Sequence, residues 1–198
     1  MKYLDNTNIQ RTLKFAGIAM KKKYLSKKEE YDLLLTWKKK HDIKALSKLI
    51  YSYQRLVISI AFKLKGYNYS VEELIQEGNI GIMTAAKKFD TKKNVRFSTY
   101  ASWWIKSYIY SYIFNNCSIV KMPSGYKKIF FNLRKVQRKL ENVSNNYSGI
   151  SLEKKTAEIF GVESSDIENI NNTITKGVFS LDHSYNEDVG FVPIDFLV

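Results

Sequence analysis

Residues 46–64 read LSKLIYSYQRLVISIAFKL, and the spacing of their apolar side chains decides the fold. Leu46, Leu49, Ile50, Tyr53, Val57, Ile60 and Leu64 recur at the three- and four-residue steps of one helix face. The helical period continues on both sides. Ser26 with Glu29 has capping-box spacing and opens a helix to about Lys40. Asp42 caps the helix that carries the quoted stripe, and Gly66 ends it. Ser70 with Glu73 repeats the box and opens a helix toward Phe89. Asp90 to Asn94 is a polar turn, and a long helix follows from about Ser98 to Phe114, where Asn115 and Asn116 break it. Pro123-Ser124-Gly125 marks a firmer turn before a basic helix from about Lys127 to Leu140. Ala157, Gly161 and Ile167 stand at the spacing of a helix-turn-helix whose second helix Ser164 or Ser165 would cap. The expected fold class is all-α, a main helical bundle followed by a small helix-turn-helix-like middle domain.

Composition narrows what such a fold can be for. The 198 residues are 44% hydrophobic and 14% aromatic, which is ample for a core. One cysteine, Cys117, excludes an internal disulfide, and the two histidines, His41 and His183, stand too far apart in sequence to suggest a metal site. No apolar run approaches the roughly 20 residues of a membrane span, so the chain reads as soluble and cytoplasmic. The net charge of +13 is unevenly placed: residues 1–140 hold 29 Lys and Arg against 9 acids, while residues 141–198 hold 3 against 10. A segment at +20 attracts a polyanion through counterion release, although a solvated lysine-rich surface has the same composition. Residues 1–25 read as a basic mobile arm, 26–122 as the main domain, 123–178 as the basic helix with the middle domain, and 179–198 as an acidic linker.

The helix from Ser98 to Phe114 carries the sharpest functional signal. Ala101, Ile105, Tyr108, Ile109 and Tyr112 form one arc, the expected core face. The opposite arc holds Tyr100, Trp103, Ser107, Tyr110 and Phe114, with Trp104 at its edge and Arg96 and Lys106 flanking. Aromatic rings interleaved with cations suit a single-stranded nucleic acid, since bases stack on rings while cations hold phosphates. A central helix buried on both faces has the same pattern, and periodicity does not choose between them. Gly78 and Gly81 (GNIG) are spaced like a backbone-clamping loop of the KH type, but their helical neighbours favour close approach of a second helix. Glu72, Glu73 and Glu77 sit at a helix start, where acids favour the dipole, and need no metal to explain them. The sequence contains no Walker loop, HExxH or nucleophile elbow, so no enzyme, catalytic residue or cofactor is expected.

Three longer blocks then carry a family resemblance: ELIQEGNIGIMTAAKKF (73–89), RFSTYASWWIK (96–106) and SIVKM (118–122). They closely resemble bacterial RNA polymerase sigma factors. YKKIFFNLR (126–134) is similar to the short box of the heat-shock, RpoH-type members, with Lys127, Lys128, Phe130, Phe131, Asn132 and Arg134 in it. The resemblance runs from about Ser26 to the end of the chain.

Each block brings an expectation. The resemblance implies that Glu73, Leu74, Ile75, Gln76, Glu77, Asn79 and Met83 dock on the basic clamp helices of the polymerase β′ subunit. It implies that Phe89, Phe97, Thr99, Tyr100, Trp103 and Trp104 open promoter DNA and hold flipped bases of the minus-ten element, chiefly on its single-stranded non-template strand. Arg96, Lys106 and Lys121 match or neighbour positions that contact the DNA backbone, and Ser107 and Tyr110 fall where the upstream edge of the element is read. The acidic tail resembles a linker that threads toward the polymerase active site. In the middle domain, Asp166, Glu168 and Asn169 on the second helix argue against deep major-groove reading.

Some positions depart from the family. Tyr110 replaces a small or amide side chain, and Cys117 stands where the heat-shock type has Trp. The chain ends at Val198, before the C-terminal domain that reads the minus-thirty-five element in the family. The expected function is a sigma factor for heat-shock promoters, with room for a chaperone or anti-sigma partner. Two rivals share the same residues: a truncated sigma-like protein that occupies core polymerase without initiating, and a free-standing single-strand binder.

Overall fold

The computed structural model describes residues 25–67, 69–91, 95–119, 121–143 and 150–175, together with Lys14 and residues 17–19. The proposed acidic linker, most of the basic arm, His183 and the centre of the 142–149 linker lie outside them. Among the described residues the regular structure is helical throughout, and the all-α expectation holds. The helices are α1 (Lys27–Lys40), α2 (Ile43–Lys63), α3 (Val71–Lys88), α4 (Phe97–Asn116), α5 (Lys127–Val143), α6 (Ile150–Phe160) and α7 (Ser164–Thr175). The chain divides into two compact units, Met1–Ile113 and Phe114–Val198, with the boundary inside the last turn of α4.

Local chemistry sets the helix ends. Ser26 and Glu29 form the full capping box, with Glu29 N donating to Ser26 Oγ at 3.3 Å and Ser26 N to the Glu29 carboxylate at 2.8 Å. Asp42 caps α2 through Lys44 N at 2.8 Å. Ser70 accepts from Glu73 N at 3.2 Å, the forward half of the expected second box, and the Glu73 carboxylate lies close enough to the Tyr112 phenol to act on its proton. Burial, and then the charges of Glu73 and Glu77, hold that phenol above its ordinary pKa. α4 runs through Asn115 and Asn116 instead of breaking there.

In the first unit α2 lies between α1 and α3. Its predicted stripe is buried at Leu46, Leu49, Tyr53, Val57 and Ile60, and Ile58 and Ala61 are buried as well, so the helix is covered over more than one face. The two glycines set how closely α3 approaches its neighbours, Gly78 against α2 and Gly81 against α4. A Cβ on Gly78 would meet Val57 Cγ1 at 2.5 Å, and one on Gly81 would stand 2.9 Å from Ile105 Cα and 3.0 Å from Trp104 O. The glycines are close-approach points in mid-helix, and the clamping-loop reading is excluded. Thr84 Oγ1 and Tyr108 Oη, 2.9 Å apart, tie the same two helices, and Lys38 Nζ donates to the Phe89 carbonyl at the end of α3.

One buried acid joins the bundle from within. Glu30 of α1, 3% exposed, accepts from Tyr53 Oη at 2.5 Å, from Arg96 Nε and Nη2 at 3.1 and 2.9 Å, and from the Phe97 backbone N at 2.6 Å. Burial, then the bond to Glu30, pushes the Tyr53 phenol far above its ordinary value, and the same carboxylate raises the Arg96 guanidinium.

In the second unit Phe114 is buried and meets Phe130 edge-on at 5.6 Å, with Ile129 and Leu133 beside it on α5. Phe114 therefore does not belong to an outward arc; the helix that follows α4 in the chain covers it. α6 and α7 form the expected helix-turn-helix. Gly161, at φ 68°, closes α6 with Val162 N to Ala157 O at 3.1 Å and Gly161 N to Glu158 O at 3.3 Å, a Schellman pair. α7 starts at Ser164 itself, and Glu163 supplies the first-turn carbonyl, so neither serine is the cap. Ala157, Ile167 and Ile170 close this small core.

Two stability tests follow from this packing. Gly81→Ala forces a methyl against backbone that cannot rotate away and is expected to cost about 1–3 kcal/mol in urea unfolding, whereas Gly125→Ala, with nothing within 4 Å, should cost less than about 0.5 kcal/mol. The second test concerns alkali. The unfolded chain gives up its tyrosine protons near pH 10 while folded Tyr53 keeps its own, so stability is full below about pH 10 and falls as the pH rises through it. Tyr53→Phe should make that alkaline fall shallower, measured as unfolding midpoints from pH 8 to pH 11.

Candidate nucleic-acid and polymerase interface

The candidate residues fall on two faces built from α3 and α4. On α3, Leu74, Ile75, Gly78, Gly81, Ile82, Ala85 and Ala86 turn inward, so Leu74 and Ile75 shape the helix from beneath and do not reach its surface. Outward, Glu73, Gln76, Ile80 and Met83 are exposed, in an arc about 80° wide at roughly 100° per residue. Glu77 and Asn79 are half-buried at its margins. Ile80, 43% exposed, is an apolar member that the sequence reading missed, and it stands next to Met83 at 37%. Gln54 Nε2 donates to Asn79 Oδ1 at 2.8 Å, which fixes that amide against α2.

On α4 the aromatic residues separate into layers. Phe97 is fully buried and Phe89 is 6% exposed, their rings edge-on at 5.4 Å, with Tyr53 against Phe97 at 5.2 Å. From this base a row climbs the helix flank: Phe89 to Tyr100 at 5.5 Å, Tyr100 to Trp104 at 6.3 Å and Trp104 to Tyr108 at 6.5 Å. Lys88 Nζ lies 4.4 Å from the Trp104 ring centroid, a cation–π contact the sequence reading did not include. Trp103 stands outside the row, 73% exposed, with Lys106 Nζ 5.9 Å from its ring. Thr99, Lys106 and Ser107 are exposed, and Tyr110 is half-buried. Of the cations named as backbone contacts, Lys106 and Lys121 are exposed, while Arg96 is bound to Glu30 and to the Leu25 carbonyl.

The residues of the 126–134 box lie on α5 and the turn before it. Phe130 is buried, Lys127, Phe131 and Asn132 are half-buried, and Lys128 and Arg134 are exposed. Tyr126 is held above its ordinary pKa by its bond to Asp166. Cys117 is half-buried, its thiol donates to the Phe114 carbonyl at 3.1 Å, and burial raises its pKa, consistent with a packing role. Among the described residues no three His, Cys, Asp or Glu converge as a metal site would require, and no helix is long and apolar enough to cross a membrane.

The α3–α4 pair lies within residues 49–116, which match the Sigma-70 region 2 family. The RNA polymerase sigma factor RpoH of Zymomonas mobilis subsp. mobilis is 39% identical over 155 residues, covering 77% of this chain and 51% of that protein. RpoH of Caulobacter vibrioides is 38% identical over 153 residues, 76% of this chain and 52% of that protein. The RNA polymerase sigma-C factor of Myxococcus xanthus is 30% identical over 184 residues, 88% of this chain and 62% of that protein. The chain thus spans about half the length of the RpoH relatives it matches. Region 2 and these homologues place the chain in the family of bacterial RNA polymerase sigma factors.

Proposed function

We propose that the chain acts as a sigma factor, seating on core RNA polymerase through the exposed stripe of α3 and opening promoter DNA at the minus-ten element with α4, at heat-shock promoters. The observation that carries this reading is the layered aromatic face: an exposed Trp103 beside a row of Tyr100, Trp104 and Tyr108 anchored on buried Phe89 and Phe97. Unpairing and unstacking a base costs a few kcal/mol, and each base that stacks on an aromatic ring recovers about 1–3 kcal/mol. The row alone would not hold a bubble open, so polymerase binding supplies the remainder, and isolated duplex promoter should bind weakly. Lys106 and Lys121 are the phosphate partners in this reading, Ser107 and Tyr110 lie at the upstream edge of the element, and the protein itself carries out no catalysis.

For docking, Glu73 and Gln76 would meet the basic clamp helices of the β′ subunit, and Ile80 with Met83 would give the contact an apolar centre. Ile80→Ala with Met83→Ala should weaken binding to core polymerase tenfold or more while leaving the unfolding midpoint nearly unchanged, since both side chains are exposed. Promoter melting has its own test. Core polymerase, the full chain and a heat-shock promoter should give a permanganate-reactive bubble at the minus-ten region, and Trp103→Ala/Trp104→Ala should abolish it with core binding intact. Core binding by the unmodified chain without any bubble would mean that it occupies polymerase without initiating.

A further inference from the structure

Glu30 belongs to none of the blocks that carry the family resemblance, yet it holds the start of the promoter-facing helix. We infer that Glu30 is a positioning residue for α4, and that Arg96 is its strut rather than a contact to DNA phosphate. The inference rests on the melting role proposed for α4.

The geometry runs through named bonds. α4 begins at Phe97, and the residue before it is Arg96, whose side chain has only donors and cannot cap a helix. The missing acceptor comes from α1, where Glu30 Oε1 takes the Phe97 N–H at 2.6 Å. A carboxylate there also meets the positive end of the helix dipole. The other oxygen, Oε2, gathers Arg96 Nε and Nη2 and the Tyr53 hydroxyl, and Nη2 reaches on to the Leu25 carbonyl at 3.1 Å. Two guanidinium nitrogens are thereby committed to the protein although the side chain is 45% exposed. Phe97, held by its own N–H, is the base of the row that leads through Phe89 to Tyr100 and Trp104. The first turn of α4 therefore fixes how the row and Trp103 are presented, and one carboxylate fixes the first turn.

The two roles of Arg96 respond differently to substitution. A phosphate contact needs a charge and tolerates lysine, whereas the strut needs Nε and Nη2 in a fixed fork that lysine lacks. With the full chain, core polymerase and promoter, Arg96→Ala should slow bubble formation about tenfold while the salt dependence of promoter binding stays unchanged, and Arg96→Lys should not rescue it. A salt slope reduced by about 0.7–0.9, with rescue by lysine, would overturn the inference and return Arg96 to the DNA backbone. Amide exchange on the chain alone gives a second readout that needs no melting activity. Arg96→Ala and Glu30→Gln should speed exchange at residues 97–100 roughly tenfold to a hundredfold, the weight of bonds to a charged group, with α2 little changed. Unchanged exchange there would overturn the inference even if the unmodified chain opened no promoter, an outcome that separately defeats the proposed function.

Discussion

A charge buried to 3% exposure is the constraint on which the first unit depends. Taking a carboxylate out of water costs several kcal/mol, and only a full set of donors offsets it. Glu30 obtains that set from two other helices and the turn before α4: the phenol of Tyr53, the guanidinium of Arg96 and the backbone N–H of Phe97. Apolar burial of Leu34, Leu49, Val57 and Ile105 would hold the helices together without it, but apolar contact is non-directional and tolerates sliding. The carboxylate does not tolerate it. A shift of α4 by one residue would strip Phe97 N–H and Arg96 from Glu30 together and leave an unpaired buried charge, a loss of about 3–5 kcal/mol. The electrostatic knot contributes specificity more than net stability.

The second constraint is steric and lies at the other end of the contact. Gly81 brings α3 so near the backbone of Ile105 and Trp104 that the two helices meet main chain to main chain, with Thr84 and Tyr108 bonded alongside. The outward stripe of α3 and the aromatic flank of α4 are consequently two sides of one tightly spaced pair. In the function proposed for the chain, a polymerase seated on α3 addresses α4 with little slack between them, and close packing transmits the placement of one helix to the other.

What could be read from the sequence was local. The caps at Ser26 and Asp42, the stripe from Leu46 to Ile60 and the two close-approach glycines all follow from neighbours within one or two turns, and each stands where the periodicity put it. The readings that changed depend on residues distant in sequence or in another helix. Glu30 reads as an ordinary acid in a first turn, because its partners at positions 53, 96 and 97 become neighbours only in the fold. Phe114 leaves the outward arc because Phe130 covers it. A helical wheel gives angles and no account of a second layer. Ile80 was legible as an exposed apolar residue: on α3 it lies opposite Leu74, Gly78, Ile82 and Ala85, so the helical period alone turns it away from the core.

The same layering explains why adjacent tryptophans are not equivalent. Trp104 has Tyr100 and Tyr108 at its edges and the Lys88 ammonium over its ring, so much of its π surface is already committed within the protein. Trp103, one residue earlier and about 100° around the helix, keeps 73% of its surface and has the Lys106 ammonium over its ring, 5.9 Å from the centroid. A ring that must receive a base needs an unoccupied face and a fixed orientation. These requirements conflict in a single side chain, because packing that fixes a ring also covers it. In the function proposed for the chain, α4 divides them between neighbours: Trp104 is held as the wall, built on Phe97 and Phe89 and thus on Glu30, while Trp103 stands beside it as the more exposed platform, with the Lys106 ammonium over its ring. On that proposal the buried carboxylate and the exposed indole are two ends of one arrangement, in which the cost of ordering the aromatic face is met in the folded protein before any base arrives.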